Sequence, residues 1–69
     1  MDAQILVNGE ARPWRAIGVL QLLRGEGLDP ARKGIAVALN GALLPRRAWP
    51  ETSIEPNDRI EIVRPHAGG

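Results

Sequence analysis

Polar and apolar residues alternate at the start of the chain. Gln4-Ile5-Leu6-Val7 places Ile5 and Val7 on one face and Gln4 and Leu6 on the other, the period of a strand. Asn8-Gly9 follows, a pair suited to a two-residue turn with positive φ at both positions. Glu10-Ala11-Arg12-Pro13-Trp14 is then the returning strand. Pro13 has no N–H to give to a ladder, so this strand belongs at a sheet edge. The period changes at Val19, Leu22 and Leu23, whose i, i+3, i+4 spacing predicts a helix with one apolar face. Gly18 stands at its N-cap, a weaker choice than Ser or Thr. Gly25 and Gly27 end the helix near Arg24, and Pro30 prevents its resumption. So short a helix depends on packing against a sheet rather than on propensity.

After a loop from Asp29 to Gly34, alternation returns in Ile35-Ala36-Val37-Ala38-Leu39, with the large residues facing the core and the alanines opposite. A second Asn-Gly turn, Asn40-Gly41, leads to Ala42-Leu43-Leu44, which stops at Pro45. The stretch from Pro45 to Pro50 reads as a bend with room for one helical turn, Trp49 closing the end of the core. Glu55-Pro56-Asn57-Asp58 is a turn with Pro second and Asn third, where positive φ is needed. In the last strand, Arg59-Ile60-Glu61-Ile62-Val63, Ile60 and Ile62 point one way and the other three residues point away. Two strands, a helix, two strands, a turn and a strand predict an α+β chain. The expected architecture is a five-stranded mixed sheet packed on one short helix, the β-grasp or ubiquitin-like arrangement. A helix on one face leaves the other open to water or to a partner, and Leu6 and Val63 fall on that open face.

Composition narrows the chemistry. Sixty-nine residues make one domain near the lower limit for folding without a disulfide or metal. The absence of Cys excludes a disulfide framework, a thiolate zinc site and a thiol nucleophile, and a single His excludes a His pair for metal. The net charge of +1 is spread as alternating signs, with no basic block for nucleic acid. Trp14 and Trp49 are too few aromatics for a base-stacking platform. No apolar run approaches the roughly 20 residues of a membrane span, and Met1-Asp2-Ala3 does not begin a signal peptide, so a soluble, cytoplasmic protein is expected. Ser53, beside Thr52, has no neighbouring base and reads as a turn hydroxyl. Asp58 and Glu61 read as solvated strand-edge residues. Arg46 and Arg47 read as a wet bend, with contact to an acidic partner as the alternative. Nothing here forms a nucleophile–base or metal constellation, so the chain is not expected to be an enzyme.

The end of the chain, Arg64-Pro65-His66-Ala67-Gly68-Gly69, contains nothing that folds by itself. It divides the chain into a globule over residues 1–64 and a flexible Gly-Gly tail over 65–69. Fully extended, the tail reaches roughly 16–18 Å, enough to enter a cleft on a partner. Two final glycines make it slim and leave a carboxylate at its tip. A frayed terminus is the plain alternative.

Asn40-Gly41, Leu44-Pro45-Arg46 with Trp49, Asp58-Arg59-Ile60-Glu61-Ile62-Val63, the Gly68-Gly69 end and the opening Gln4 to Glu10 together resemble the ThiS family, the bacterial sulfur carriers of thiamin biosynthesis. The resemblance covers nearly the whole chain. It departs at Gly18, where that family usually has Thr, and at Pro56-Asn57-Asp58, where it favours Asp-Gly-Asp. It implies that Gly69 is adenylated at the expense of ATP and converted to a thiocarboxylate. The implied partners are a ThiF-like adenylating enzyme of the ubiquitin-activating type, a sulfur-donating enzyme and a ThiG-like thiazole synthase, with no cofactor bound to the chain itself. Gly68, Ala67, His66, Arg64, Leu6 and Val63 are then the tail and partner-binding set. The small subunit of molybdopterin synthase, which uses the same chemistry, and a ubiquitin-like protein modifier are the rival readings.

Overall fold

The computed structural model describes residues 2–65. Strands β1 (Gln4–Val7) and β2 (Glu10–Pro13) form a hairpin, followed by helix α1 (Val19–Gly25), a second hairpin of β3 (Ala36–Leu39) and β4 (Ala42–Leu44), a 3₁₀ helix (Arg46–Glu51), and β5 (Arg59–Val63). The five strands form one sheet in the order β2-β1-β5-β3-β4. β5 therefore lies at the centre, parallel to β1 and antiparallel to β3. The β-grasp expectation holds, and Pro13 is on an edge strand as its missing donor requires.

Both hairpins turn on their Asn-Gly pairs, with φ of 51° and 81° at Asn8 and Gly9 and 52° and 85° at Asn40 and Gly41. Asn tolerates this left-handed region because its short polar side chain finds local partners, and Gly has no Cβ to clash. One face of the sheet supplies Ile5, Val7, Val37, Ile60 and Ile62 to the core, and α1 lays Val19, Leu22 and Leu23 against them. Trp49, 2% exposed, fills the end of this core and donates its indole N–H to the Leu44 carbonyl at 3.0 Å. Deleting such a side chain costs about 3–5 kcal/mol. A domain of this size has a total stability of only about 3–10 kcal/mol, so Trp49 alone accounts for a large share of it.

The helix begins without a side-chain cap. Instead, the Gln21 side-chain oxygen accepts the Gly18 N–H at 3.2 Å, and the Val19 N–H reaches the Thr52 carbonyl at 2.9 Å. A Cβ on Gly18 would lie 3.2 Å from the Thr52 oxygen, so a Thr there requires the neighbouring chain to give way. At the far end, Gly27 takes φ 80° while the Leu28 N–H returns to the Leu23 carbonyl at 3.0 Å, closing the helix as a Schellman turn.

Candidate functional site

The centre of the molecule leads directly to its candidate site. β5 is hydrogen-bonded on both sides, and the last described residues, Arg64 and Pro65, continue from it. Its register depends on two side chains that sequence reasoning treated only as turn formers. Where β1 turns away, Asn8 extends the parallel ladder with its amide: Oδ1 accepts the Ile62 N–H at 2.7 Å and Nδ2 donates to the Ile62 carbonyl at 3.3 Å. Asn40 does the same on the β3 side, accepting the Arg59 N–H at 2.9 Å and donating to Asp58 Oδ1 at 3.0 Å. No local pattern announces these bonds, because the partners of Asn8 lie 54 residues away.

Asp58 is not the solvated strand-edge residue expected. It is 9% exposed, and its second carboxylate oxygen accepts the Glu55 N–H at 2.8 Å, closing the turn before β5. Burial is tolerated because both oxygens are hydrogen-bonded. Arg46 stays exposed, as expected of a wet bend, but it is bonded there. Its guanidinium donates to the carbonyls of Pro30 and, at 2.8 Å, Arg32, and it stacks over the Trp49 ring at 4.4 Å. It braces the loop between α1 and β3. Ser53 contributes a backbone bridge to Gly18.

At the exit of β5, alternation turns Arg64 toward the helix side, where Nη2 lies 3.7 Å from Glu26 Oε1. The Glu26 side chain is only 10% exposed and is held by Arg12 of β2, which donates to both of its oxygens and also pairs with Glu10 at 3.1 Å. Its hydrogen bonds to Glu26, aided by the charges of Glu26 and Glu10, raise the Arg12 pKa above the ordinary arginine value. Pro65 packs on Gly34: a Cβ built there would lie 3.0 Å from the Pro65 Cβ. His66, Ala67, Gly68 and Gly69 lie outside the described residues.

The open face carries Leu6 and Val63, 38% and 62% exposed, as expected. They do not touch as a single patch. Leu6 pairs with Arg59 and Val63 with Ala36, and Glu61 stands between them along β5. A shallow hollow beside Leu6 is lined by Asn8, Gly9, Arg59, Ile60 and Glu61. Leu43, 74% exposed, was not assigned to this face from the sequence. Once Leu44 pairs with Val37 on the core side, strict alternation puts Leu43 outside. Among the described residues, no helix is long and apolar enough to cross a membrane.

The pattern for the ThiS family matches residues 5–69. The chain belongs to the ThiS family. The crystal structure of the thiamine biosynthesis protein ThiS from Geobacter metallireducens is similar, with a TM-score of 0.76 and 28% identity, over 96% of this chain and 99% of that one. The NMR solution structure of a thiamine biosynthesis protein from Geobacter metallireducens has a TM-score of 0.74 and 26% identity, covering 100% of this chain and 88% of that one. No curated protein matches the chain in sequence.

Proposed function

We propose that this chain is a sulfur carrier of thiamin biosynthesis, a co-substrate that partner enzymes charge and discharge, and not itself a catalyst. The family match over residues 5–69, which takes in Gly68 and Gly69, is the observation that carries this reading. The similar solved structures, both of thiamine biosynthesis proteins, support it. The tail over residues 65–69 is the reacting segment and the globule is its handle.

The chemistry begins from an unreactive carboxylate. A ThiF-like adenylating enzyme of the ubiquitin-activating type joins a Gly69 carboxylate oxygen to the α-phosphorus of ATP, and pyrophosphate leaves. The resulting acyl-adenylate has a neutral carbonyl and a good leaving group. Sulfide-level sulfur delivered by a sulfur-donating enzyme attacks that carbonyl, the bond from the carbonyl carbon to the AMP oxygen breaks, and a thiocarboxylate is left. A ThiG-like thiazole synthase then takes the sulfur, and as the carbon–sulfur bond breaks an oxygen from the acceptor or from water takes its place and restores the carboxylate. We place this exchange in the cytoplasm. Gly68, Ala67 and His66 form the thread that enters each active site, with no Cβ on Gly68 to widen it. Arg64 stands at the exit, and Leu6 and Val63 dock the globule on its partners.

Intact mass tests the reading. After incubation with ATP, a sulfide source and the adenylating enzyme, the chain should become heavier by the difference between one sulfur and one oxygen. Gly69→Trp should abolish that gain. An unchanged wild-type mass, with an adenylating enzyme active on its own carrier, would overturn the proposal. Conjugates of higher mass on lysines would point instead to a protein modifier. Charging Leu6→Glu and Val63→Glu should weaken docking about tenfold or more each, as expected for apolar anchors in an interface, with folding unchanged because both are already exposed.

A further inference from the structure

The exit of β5 carries two independent contacts that the fold does not need for its core. Pro65 is lodged on Gly34, a residue at φ 93° where any Cβ would be strained and would meet the Pro65 ring. Arg64 reaches Glu26 at the C-terminal end of α1, and Glu26 is itself fixed by Arg12 from β2. The chain therefore leaves the globule through a notch in the loop before β3 on one hand and a carboxylate at the helix end on the other. Proline holds φ near −65°, so the backbone direction at this point is set by its ring as well as by its contacts.

We propose that Gly34, Glu26 and Arg12 form an exit clamp on Arg64 and Pro65, which aims the tail before a partner is met. This rests on the reading of the tail as the reacting segment. Its members are positioning residues: they touch the chain upstream of the reacting carbonyl and act through its direction. A tail aimed in advance loses less entropy on entering a cleft, so the clamp raises the rate of adenylation at saturating partner more than it raises affinity. Glu26 is the pivot, since among the described residues it alone meets both Arg12 and Arg64.

The test uses the full chain and a single-turnover assay of acyl-adenylate formation on the adenylating enzyme, with docking measured separately without ATP. Pro65→Gly should slow adenylation about two- to fivefold, the range expected when a proline's restriction of the chain is removed. Docking should change less than the rate does. Arg64→Ala should slow it by up to about twofold, the limit set by so weak a pair, and Arg64→Lys should recover at least part of the loss by keeping a cation near Glu26. Glu26→Gln should match Arg64→Ala, and the double variant should be no slower than either single one, because both remove the same contact. Thermal unfolding of each variant separates aiming from folding. Wild-type rates in Pro65→Gly and Glu26→Gln, or fully additive losses in the double variant, would overturn the clamp. A wild type that never forms the adenylate would instead overturn the carrier reading itself.

Discussion

At the start of β5 the strand is fastened by the Asn40 amide backed by a buried carboxylate, whereas at its far end it is fastened by a neutral amide alone and then by a long ion pair. Asp58, 9% exposed, accepts the Glu55 N–H at 2.8 Å and the Asn40 amide at 3.0 Å, and its carbonyl takes the Leu6 N–H at 2.9 Å. Four residues later, Asn8 holds Ile62 with bonds of 2.7 and 3.3 Å. Beyond that, Arg64, 50% exposed, meets Glu26 at only 3.7 Å. The two asparagines occupy the same position of the same turn type with nearly the same φ. What differs is the partner each side chain meets, so the grip on the strand is set by tertiary surroundings and not by turn chemistry. It weakens progressively toward the segment proposed to react. A carrier gains from this arrangement, because the strand stays in register while its last ion pair, Arg64 to Glu26, is a weak one.

The sharpest way to break this comparison is at Asp58. Asp58→Ala leaves the Glu55 N–H and the Asn40 amide without their acceptor. Hydrogen bonds to a charged, buried acceptor put the expected loss at about 2–3 kcal/mol. With an m-value near 1 kcal/mol/M in urea for so small a domain, the unfolding midpoint falls by about 2–3 M. Asp58→Asn keeps one acceptor oxygen and should lose about half as much. A loss for Asp58→Ala smaller than that of any Asn8 variant would reverse the order of the two ends.

Asn8 gives the intermediate effect, and two substitutions divide it. Asn8→Gly keeps the turn conformation but removes both bonds to Ile62, for a loss of about 1–1.5 kcal/mol. Asn8→Ala adds the strain of a Cβ at φ 51°, roughly 1 kcal/mol more. Urea unfolding of the pair measures both contributions. Hydrogen exchange at the Ile62 N–H should speed up in each, because its acceptor is gone.

How much of this could be read beforehand depends on the range of the interaction. Period-two alternation gave β1, β3 and β5 with their core faces, since a strand's pattern is written in adjacent residues. The turns were equally plain, because Asn-Gly and Pro-Asn carry their backbone preference locally. Asp58 misleads for the opposite reason. A polar residue in an alternating run looks solvated until the chain folds Asn40, 18 residues earlier, over it. Arg46 is similar: its acceptors, Pro30 and Arg32, belong to another loop. The exit clamp was half visible. Arg64 was singled out by its place, but neither Glu26 nor Gly34 bears any sequence mark of a contact with the chain's end. Gly68 and Gly69 were legible as composition, and they lie outside the described residues.

The smallest effect belongs to Arg64, and its smallness carries information. Its partner is at 3.7 Å and the guanidinium is 50% exposed, so solvent and salt screen the attraction. Pairs of this kind contribute about 0–1 kcal/mol, and the lower half of that range applies at such a distance. Arg64→Ala should therefore shift stability by no more than about 0.5 kcal/mol, and that difference should vanish as salt rises toward about 1 M, where the screening length is near 3 Å. Glu26→Ala should be more disruptive than Arg64→Ala, because Glu26 is 10% exposed and also leaves Arg12 without its main partner. If Arg64→Ala proved as damaging as Asp58→Ala, the far end of β5 would be a structural anchor, and the graded release of the strand toward its tail would be wrong.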